Sequence, residues 1–307
     1  MNSGQIQKIV APILVIDDDP DVLVAARILL KHHFEPIVTE ANPARLPTLL
    51  EKEHFGVILL DMNFAMGEDS GSEGLFWLKK ILDIDPKAAY VHLTSNNTIA
   101  GTQWQSFPDT GDVPLVADMS SDLLWKPFDA NKFSLIYAGA QKNLGPSGVT
   151  LVIIRKSWLE QANSGVPTLL SYATHVAKDS LYNTPPSFSI YMVRNVLSWV
   201  RDNGGAEGME RLNRAKAGRL YGVMAAFSGF YRCPVDEDSR SCMNVVFRLP
   251  SEDLEARFVA EAKNQGMVGL KGHRSVGGCR ASIYNAMPAE GVETLAQFME
   301  EFARTHG

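Results

Sequence analysis

The chain has 307 residues, of which 45% are hydrophobic and 21% are charged, a composition typical of a globular α/β protein with more than one packed part. It contains no run of about eighteen apolar residues, and residues 1–8 lack the apolar core of a signal peptide, so we expect no membrane segment and a cytoplasmic location. The net charge of −6 argues against nucleic-acid binding and leaves small anionic substrates open.

Acidic residues follow the first two predicted strands. The first apolar run ends directly before Asp17 and Asp18, and a stretch with helical apolar spacing follows at residues 22–31. A second apolar run, residues 56–60, ends before Asp61. Because the carboxyl ends of neighbouring parallel strands meet at one edge of a sheet, these carboxylates predict an acidic pocket suited to Mg²⁺. The alternative is that they only cap strand-to-helix turns.

Residues 10–88 resemble a response-regulator receiver domain, which has a flavodoxin-like parallel α/β fold. The resemblance implies that Asp61 accepts a phosphoryl group from a histidine kinase and that residues 71–82 form the helix that follows. It also implies Mg²⁺ ligands at Asp17, Asp18, Asp61 and, through its backbone carbonyl, Asn63.

The receiver resemblance is incomplete beyond this point. A full receiver needs Thr or Ser after its fourth strand and Lys-Pro after its fifth, and Thr94 and Lys126 match these residue types. The stretch between them is longer than the family's usual gap. We therefore interpret residues 90–98 as a strand of a second family and Lys126 as an echo of the receiver motif.

Two polar residues follow predicted strands in the middle of the chain. Asp118 ends an apolar run, and Lys142 comes just after another, beside the small residues Gly139 and Ala140. An amine desolvated by such neighbours suits carbonyl chemistry on pyridoxal phosphate, and an acid beside the pyridine nitrogen would keep that nitrogen protonated. Taken alone, a lysine such as Lys142 is more often a surface residue in a turn, and an aspartate such as Asp118 is more often a turn cap.

Residues 89–307 resemble the C-terminal two thirds of the phosphoserine aminotransferases, a family of fold-type I pyridoxal enzymes. Several blocks in family order are more specific than any single motif. The blocks that carry the resemblance are residues 97–99, 116–121, 138–143, 182–186, 271–274 and 280–288.

The resemblance implies a binding site for pyridoxal phosphate. Lys142 is implied to be the Schiff-base lysine, and Asp118 to pair with the pyridine nitrogen. Thr98 is implied to lie at the phenolic oxygen of the ring, and Gln141 beside the cofactor phosphate.

Five further residues are implied to complete the site. Asn183 and Thr184 would reach the cofactor phosphate from the second subunit of a homodimer. His273 and Arg274 would hold the phosphate of the substrate, and Arg280 its α-carboxylate, since a guanidinium offers a planar fork to either group. Without the family, His273 is a loop histidine and the two arginines are solvated charges.

The family begins with a long segment that this chain replaces with receiver-like sequence. We therefore expect the pocket to lack the phosphate-binding turn and the tryptophan that stacks on the pyridine ring, because neither Trp77 nor Trp104 lies in the family's context for that residue. The resemblance implies transamination between phosphoserine and 2-oxoglutarate or glutamate, impaired by this loss. The alternatives are a phosphorylation-controlled signalling module and a chimera without function.

The fold predicted overall is α/β in three parts. Residues 1–88 form the receiver-like start, residues 89–202 a partial large domain that is strand-rich, and residues 203–307 a small α+β domain. The three cysteines show no pairing or zinc-binding spacing. Within the last two parts we predict helices at residues 189–200, 207–227, 254–265 and 292–304 and a strand at residues 243–249.

Overall fold

The computed structural model describes residues 12–17, 20–31, 34–60, 72–85, 89–162, 165–274 and 276–307. The chain divides into two compact units. The first consists of Met1–Val91 with Ser106–Pro114, and the second of His92–Gln105 with Leu115–Gly307. No helix of the described part combines the length and the apolar character needed to cross a membrane.

The first unit contains a parallel three-stranded sheet. The strand β1 (Ile13–Ile16) lies in the middle, between β2 (Ile37–Glu40) and β3 (Val57–Leu60), and its four residues are all buried. Parallel strands need crossover connections, which the sequence supplies as helices. These are α1 (Pro20–Leu30) between β1 and β2, and α2 (Leu46–Lys52) between β2 and β3; a third helix, α3 (Ser72–Ile84), follows β3.

The core of this unit forms where the inner face of the sheet meets its helices. Leu14 and Ile16 of β1 pack with Leu46, Phe55 and Ile81. The alternating apolar residues of a strand place one row on each face of the sheet, and a parallel sheet is covered on both faces. The predicted helices at residues 22–31 and 71–82 are confirmed to within a few residues.

The second unit contains a four-stranded sheet with the order β4-β7-β8-β9. Strands β7 and β8 are parallel, and β8 and β9 are antiparallel. Between β4 and β7 the chain forms a short antiparallel ribbon, β5 with β6. The bounds are β4 (Val91–Thr94), β5 (Asn96–Asn97), β6 (Thr102–Gln103), β7 (Leu115–Asp118), β8 (Leu135–Gly139) and β9 (Thr150–Ile154).

The region after β9 is helical, so the predicted strand-rich continuation ends at Ile154 and not near residue 200, whereas the helix predicted at residues 189–200 is confirmed. In the described part of residues 155–202 the helices are α4 (Lys156–Leu159), α5 (Tyr172–Val176) and α6 (Ser187–Asp202). The apolar residues of this region recur at helical rather than at alternating spacing, which is the pattern of α6.

The C-terminal part has α+β character, as predicted. It starts with the long helix α7 (Gly205–Ala226), whose N-cap residue Gly204 has a φ of 89°, in the left-handed region that favours glycine. An antiparallel pair, β10 (Asn244–Phe247) and β11 (Cys279–Ser282), packs with three helices. The other two helices are α8 (Glu252–Asn264) and α9 (Ala289–His306).

An aromatic core holds this part together. The ring of Phe258 lies 5.5 Å from that of Phe247 and 5.1 Å from that of Phe302. The helix α8 begins where the Ser251 side chain accepts a hydrogen bond from the Leu254 amide at 3.3 Å, which is a standard N-cap. This core supports β11, the strand that carries Arg280.

Candidate active site

Asp118 is the last residue of β7 and lies opposite Tyr137 of the parallel neighbour β8. Its carboxylate Oδ1 accepts a hydrogen bond from the Ser120 amide at 2.9 Å, and its backbone carbonyl accepts one from the Ser95 amide at 2.9 Å. Strand β8 ends at Gly139, three residues before Lys142. Because the strands are parallel, the end of β7 and the turn that carries Lys142 lie at the same edge of the sheet.

Sequence analysis did not identify His92 and Tyr137, two residues that lie near Asp118. The His92 Nε2 atom lies 3.0 Å from the Tyr137 hydroxyl, and the two rings stack at 5.9 Å. Burial lowers the pKa of His92, and the charge of Asp118 raises it in part. The available signal was alternation, since Val91 and Leu93 are buried and His92 between them faces the other side.

Lys142 lies in a tight turn that is anchored at both ends. The buried Asn143 side chain donates to the Leu123 carbonyl at 2.8 Å and accepts from the Asn285 amide at 3.0 Å. With Asn143 and Ala140 turned inward, Lys142 faces outward and is exposed. The expected desolvation of its amine is therefore not provided by the described residues of this chain.

Gln141 is also exposed, and its amide folds back over Gly139. A Cβ atom on Gly139 would lie 2.8 Å from Gln141 Oε1. The absence of a side chain at this position makes room for the Gln141 amide at the end of β8.

Thr98 and Arg280 are brought together although they are 182 residues apart in the chain. Arg280 Nη1 donates to the Thr98 carbonyl at 2.8 Å. Thr98 sits in a tight turn, in which the Asn97 side chain accepts from the Ile99 amide at 3.0 Å. The Nε atom of Arg280 is buried and has no hydrogen-bond acceptor among the described residues. A buried N–H group without an acceptor is costly, so an acceptor from outside the described residues would stabilise this donor.

His273 and Arg274 lie in the loop that leads into β11. The His273 carbonyl accepts from the Gly277 amide at 2.8 Å, and the Gly272 amide donates to the Gly278 carbonyl at 2.8 Å. A Cβ atom on Gly272 would lie 1.9 Å from the Gly277 carbonyl oxygen, so only glycine fits there. The loop holds His273 half-buried and Arg274 exposed, next in sequence to the strand of Arg280.

Asn183 and Thr184 are exposed in the segment before α6. The Asn183 side chain donates to the Thr184 carbonyl at 3.4 Å. Within the described part of the chain, the structure shows no contact between these two residues and Lys142, Thr98 or Asp118.

The predicted Mg²⁺ pocket cannot be built from the described residues. Asp17 follows β1, where its amide donates to the Glu40 carbonyl at 3.3 Å. Asp18, Asp61 and Asn63 lie outside the described residues. Among the residues that are described, no group of three or more His, Cys, Asp or Glu side chains could hold a metal ion.

Comparison with known proteins identifies the family. The model of the class-V aminotransferases matches residues 70–295. The phosphoserine aminotransferase of Desulfosudis oleivorans is 56% identical over 250 residues, 81% of this chain and 69% of that protein. The phosphoserine aminotransferase of Herpetosiphon aurantiacus is 59% identical over 226 residues, 74% of this chain and 63% of that protein.

A solved structure supports the same assignment. The phosphoserine aminotransferase from Bacillus circulans subsp. alkalophilus superposes with a TM-score of 0.75 at 45% identity, over 100% of this chain and 76% of that chain. The chain spans 63 to 69% of the length of the two curated relatives named above. The family match starts at residue 70 and leaves most of the receiver-like region outside it. The chain belongs to the class-V aminotransferase family and is similar, within it, to the phosphoserine aminotransferases.

Proposed function

We propose that this chain carries much of the active site of a transaminase that uses pyridoxal phosphate and exchanges an amino group between phosphoserine and 2-oxoglutarate. One observation carries the proposal: Arg280 donates to the Thr98 carbonyl at 2.8 Å while its Nε atom is buried without an acceptor among the described residues. The residue implied to bind the substrate carboxylate thus lies against the turn implied to bind the cofactor. Transamination needs both together, because the α-carbon must sit within reach of the cofactor.

Four residues would hold pyridoxal phosphate: Asp118 at the ring nitrogen, Thr98 at the phenolic oxygen, Gln141 at the phosphate and Lys142 as the covalent partner. The chemistry of this donor set fits, since it offers a carboxylate, an amide and an amine at one sheet edge. When bound, the cofactor supplies an electron sink for charge at the α-carbon. The Lys142 amine is the group that moves the proton there. Because Lys142 is exposed in this chain, the cofactor and a second subunit must exclude water from it.

The substrate side rests on the loop before β11. Arg280 would grip the α-carboxylate with the part of its guanidinium that the Thr98 carbonyl does not use. His273 and Arg274 would bind the phosphate of phosphoserine. The loop can only be this tight because Gly272 approaches the backbone of Gly277.

A homodimer would complete the site. Large apolar side chains are exposed in the segment around Asn183 and Thr184, with Leu170 at 72%, Leu181 at 62% and Phe188 at 73% exposure. Exposed apolar surface of this kind marks an interface. We propose that a second copy covers it and receives Asn183 and Thr184 at its own cofactor phosphate. A Phe188→Glu variant is expected to sediment as a monomer; an unchanged dimer would place the interface elsewhere.

The decisive experiment is a spectroscopic titration with pyridoxal phosphate. The wild type is expected to develop a long-wavelength absorbance band, to lose that band on borohydride reduction while the cofactor stays covalently attached, and to form glutamate from phosphoserine and 2-oxoglutarate. Lys142→Ala should lose the band and the activity, whereas Lys156→Ala, at an exposed lysine of α4, should keep both. A folded wild type without a band would refute the proposal.

A second candidate function concerns the first unit. In its sheet, the first strand lies in the middle, in the order β2-β1-β3, with Asp17 directly after β1. This is the order of flavodoxin-like folds, to which receivers belong. It favours a signalling module in which a histidine kinase phosphorylates Asp61 and Mg²⁺ is held by Asp17, Asp18, Asp61 and the Asn63 carbonyl.

Acetyl phosphate with Mg²⁺ tests this second candidate. Asp61→Ala should abolish labelling, while the control variant Asp83→Asn, in α3, should be labelled like the wild type. An unlabelled wild type would leave a structural role for the first unit. If neither experiment gives a signal, the chimera without function is favoured.

A further inference from the structure

A cluster of buried polar side chains lies beneath the proposed cofactor site. It joins the ribbon β5–β6, the turn after β7 and the segment that leads into β10. Such clusters are tolerated only when their members satisfy each other's hydrogen bonds. The members are Ser95, Asn96, Gln103, Ser121, Asp122, Ser241 and Asn244.

Asp122 is the ionisable member of the cluster, and its two oxygens have different partners. Oδ2 accepts from Gln103 Nε2 at 3.0 Å, and Oδ1 makes a short hydrogen bond with the Ser95 hydroxyl. The Gln103 amide is fixed in orientation because its Oε1 accepts from the Cys242 amide at 2.9 Å. Oδ2 is therefore an acceptor, and any proton on Asp122 lies on Oδ1.

The Ser95 hydroxyl links Asp122 to Asp118. Its Oγ atom lies 3.0 Å from the Asp118 carbonyl oxygen, which can only accept. Ser95 has one hydroxyl hydrogen, so it donates to one acceptor at a time. It can donate to the Asp118 carbonyl and still hydrogen-bond Asp122 only when Asp122 is neutral and donates its own proton to the Ser95 oxygen. When Asp122 ionises, the hydroxyl turns to it, and the Asp118 carbonyl keeps the Ser95 amide as its donor.

Charges around Asp122 decide which form prevails. Burial raises the pKa of Asp122 to about 6, hydrogen bonds from Gln103 and Ser95 lower it, Asp118 raises it and Lys126 lowers it. Cys242 adjoins the cluster through its amide, and Tyr221 and Tyr284 adjoin it through their hydroxyls. Burial raises the pKa of the Cys242 thiol and of the Tyr221 hydroxyl, so both stay neutral in this range. Asp118 and Lys126 are thus the charges that face Asp122 from the end of β7 and from the turn beyond it.

We propose that Asp122 is a positioning residue of the cofactor site, which acts through Asp118 by the shared Ser95 hydroxyl and by its own charge. This inference rests on the proposed function. A positive ring nitrogen next to Asp118 relieves its repulsion with an ionised Asp122, so occupancy of the site favours ionisation of Asp122. By reciprocity, ionisation of Asp122 strengthens cofactor binding. The charge of Asp122, and not the loss of the Ser95 hydroxyl hydrogen bond, decides this direction. The Asp118 carbonyl keeps the Ser95 amide as its donor whether Asp122 is neutral or ionised.

The test compares the dissociation constant of pyridoxal phosphate for the wild type and Asp122→Asn between pH 5 and pH 8. Asn keeps an acceptor for Gln103 and a donor for Ser95 but cannot ionise. The ratio of the Asn constant to the wild-type constant is expected to rise with pH, with its midpoint near 6 and a change on the order of three- to tenfold. Ionisations that the two proteins share, including those of the free cofactor, cancel in this ratio. A purely structural role of Asp122 would give a ratio independent of pH, which would overturn the proposal.

A second variant keeps the test sharp if Asp122→Asn does not fold. Ser95→Ala removes a donor from ionised Asp122 and so raises its pKa. The ratio of the Ser95→Ala constant to the wild-type constant should therefore rise just above pH 6, where Asp122 of the wild type is ionised and that of the variant is still neutral. A ratio independent of pH would also overturn the proposal. Absence of any wild-type band overturns the proposed function and this inference together, whereas a normal band with a flat ratio overturns only the role of Asp122. Cooperative urea unfolding verifies that each variant is folded.

Discussion

Replacement of Lys216 by methionine should destabilise the protein strongly, although this lysine has no assigned role in binding or catalysis. Lys216 lies in α7 and is 2% exposed. Its amine donates to the carbonyls of Ile283 at 2.9 Å, Tyr284 at 2.7 Å and Met287 at 3.1 Å. These three carbonyls belong to the loop between β11 and α9, so Lys216 holds the chain just beyond Arg280.

Two opposing effects set the magnitude. Loss of the amine leaves three carbonyls without this donor, at about 1–3 kcal/mol each. Methionine avoids the cost of burying a charge. In the wild type, burial lowers the pKa of Lys216 from 10.5 to about 8, and this shift corresponds to about 3 kcal/mol. Because the three lost hydrogen bonds outweigh this relief, we expect Lys216→Met to lower the free energy of unfolding by about 2–4 kcal/mol at pH 7.

The contribution of Lys216 to the free energy of unfolding depends on pH, and the direction follows from its pKa shift. The folded-state pKa of Lys216 lies below its unfolded value, so between about pH 8 and pH 10.5 the unfolded chain binds more protons and stability rises with pH. The stability of the wild type relative to Lys216→Met should therefore increase across this window. Urea unfolding at several pH values measures it, with Lys263→Met, at an exposed position of α8, as the control. A destabilisation below about 1 kcal/mol, or a difference that does not change with pH, would refute the reasoning.

Two further predictions concern the substrate side. Gly272→Ala should destabilise the loop before β11 by at least about 1–3 kcal/mol, because its Cβ would lie 1.9 Å from the Gly277 carbonyl oxygen. The control Gly229→Ala, with no atom within 4 Å of the added Cβ, should change thermal stability little. Equal effects of the two substitutions would contradict the steric argument. Arg280→Lys should raise KM for phosphoserine at least about tenfold with a smaller change in kcat, since lysine lacks the planar fork; steady-state kinetics with an unchanged KM would exclude the assigned contact.

The order of strands and helices was largely readable from local patterns. The apolar runs before Asp17 and Asp118 are strands, and the helical spacing in the last hundred residues corresponds to α7, α8 and α9. Local patterns succeed here because the period of burial differs between a strand and a helix. They failed for the described part of residues 155–186, where short helices alternate with turns and no long period develops, but succeeded for the helix predicted at residues 189–200, which lies within α6.

The sequence by itself pointed to Lys142 and Asp118 as candidates, because they follow or end apolar runs, whereas Arg280 became a candidate only through the resemblance of its block to the phosphoserine aminotransferases. The sequence could not reveal that Arg280 meets the Thr98 turn, or that Asp122 and Ser95 share a hydroxyl with the Asp118 carbonyl. Those contacts join segments far apart in the chain, and no local period encodes them. They exist only once β7, the ribbon β5–β6 and the pair β10–β11 have packed, since it is packing that removes water and forces buried polar groups to find each other.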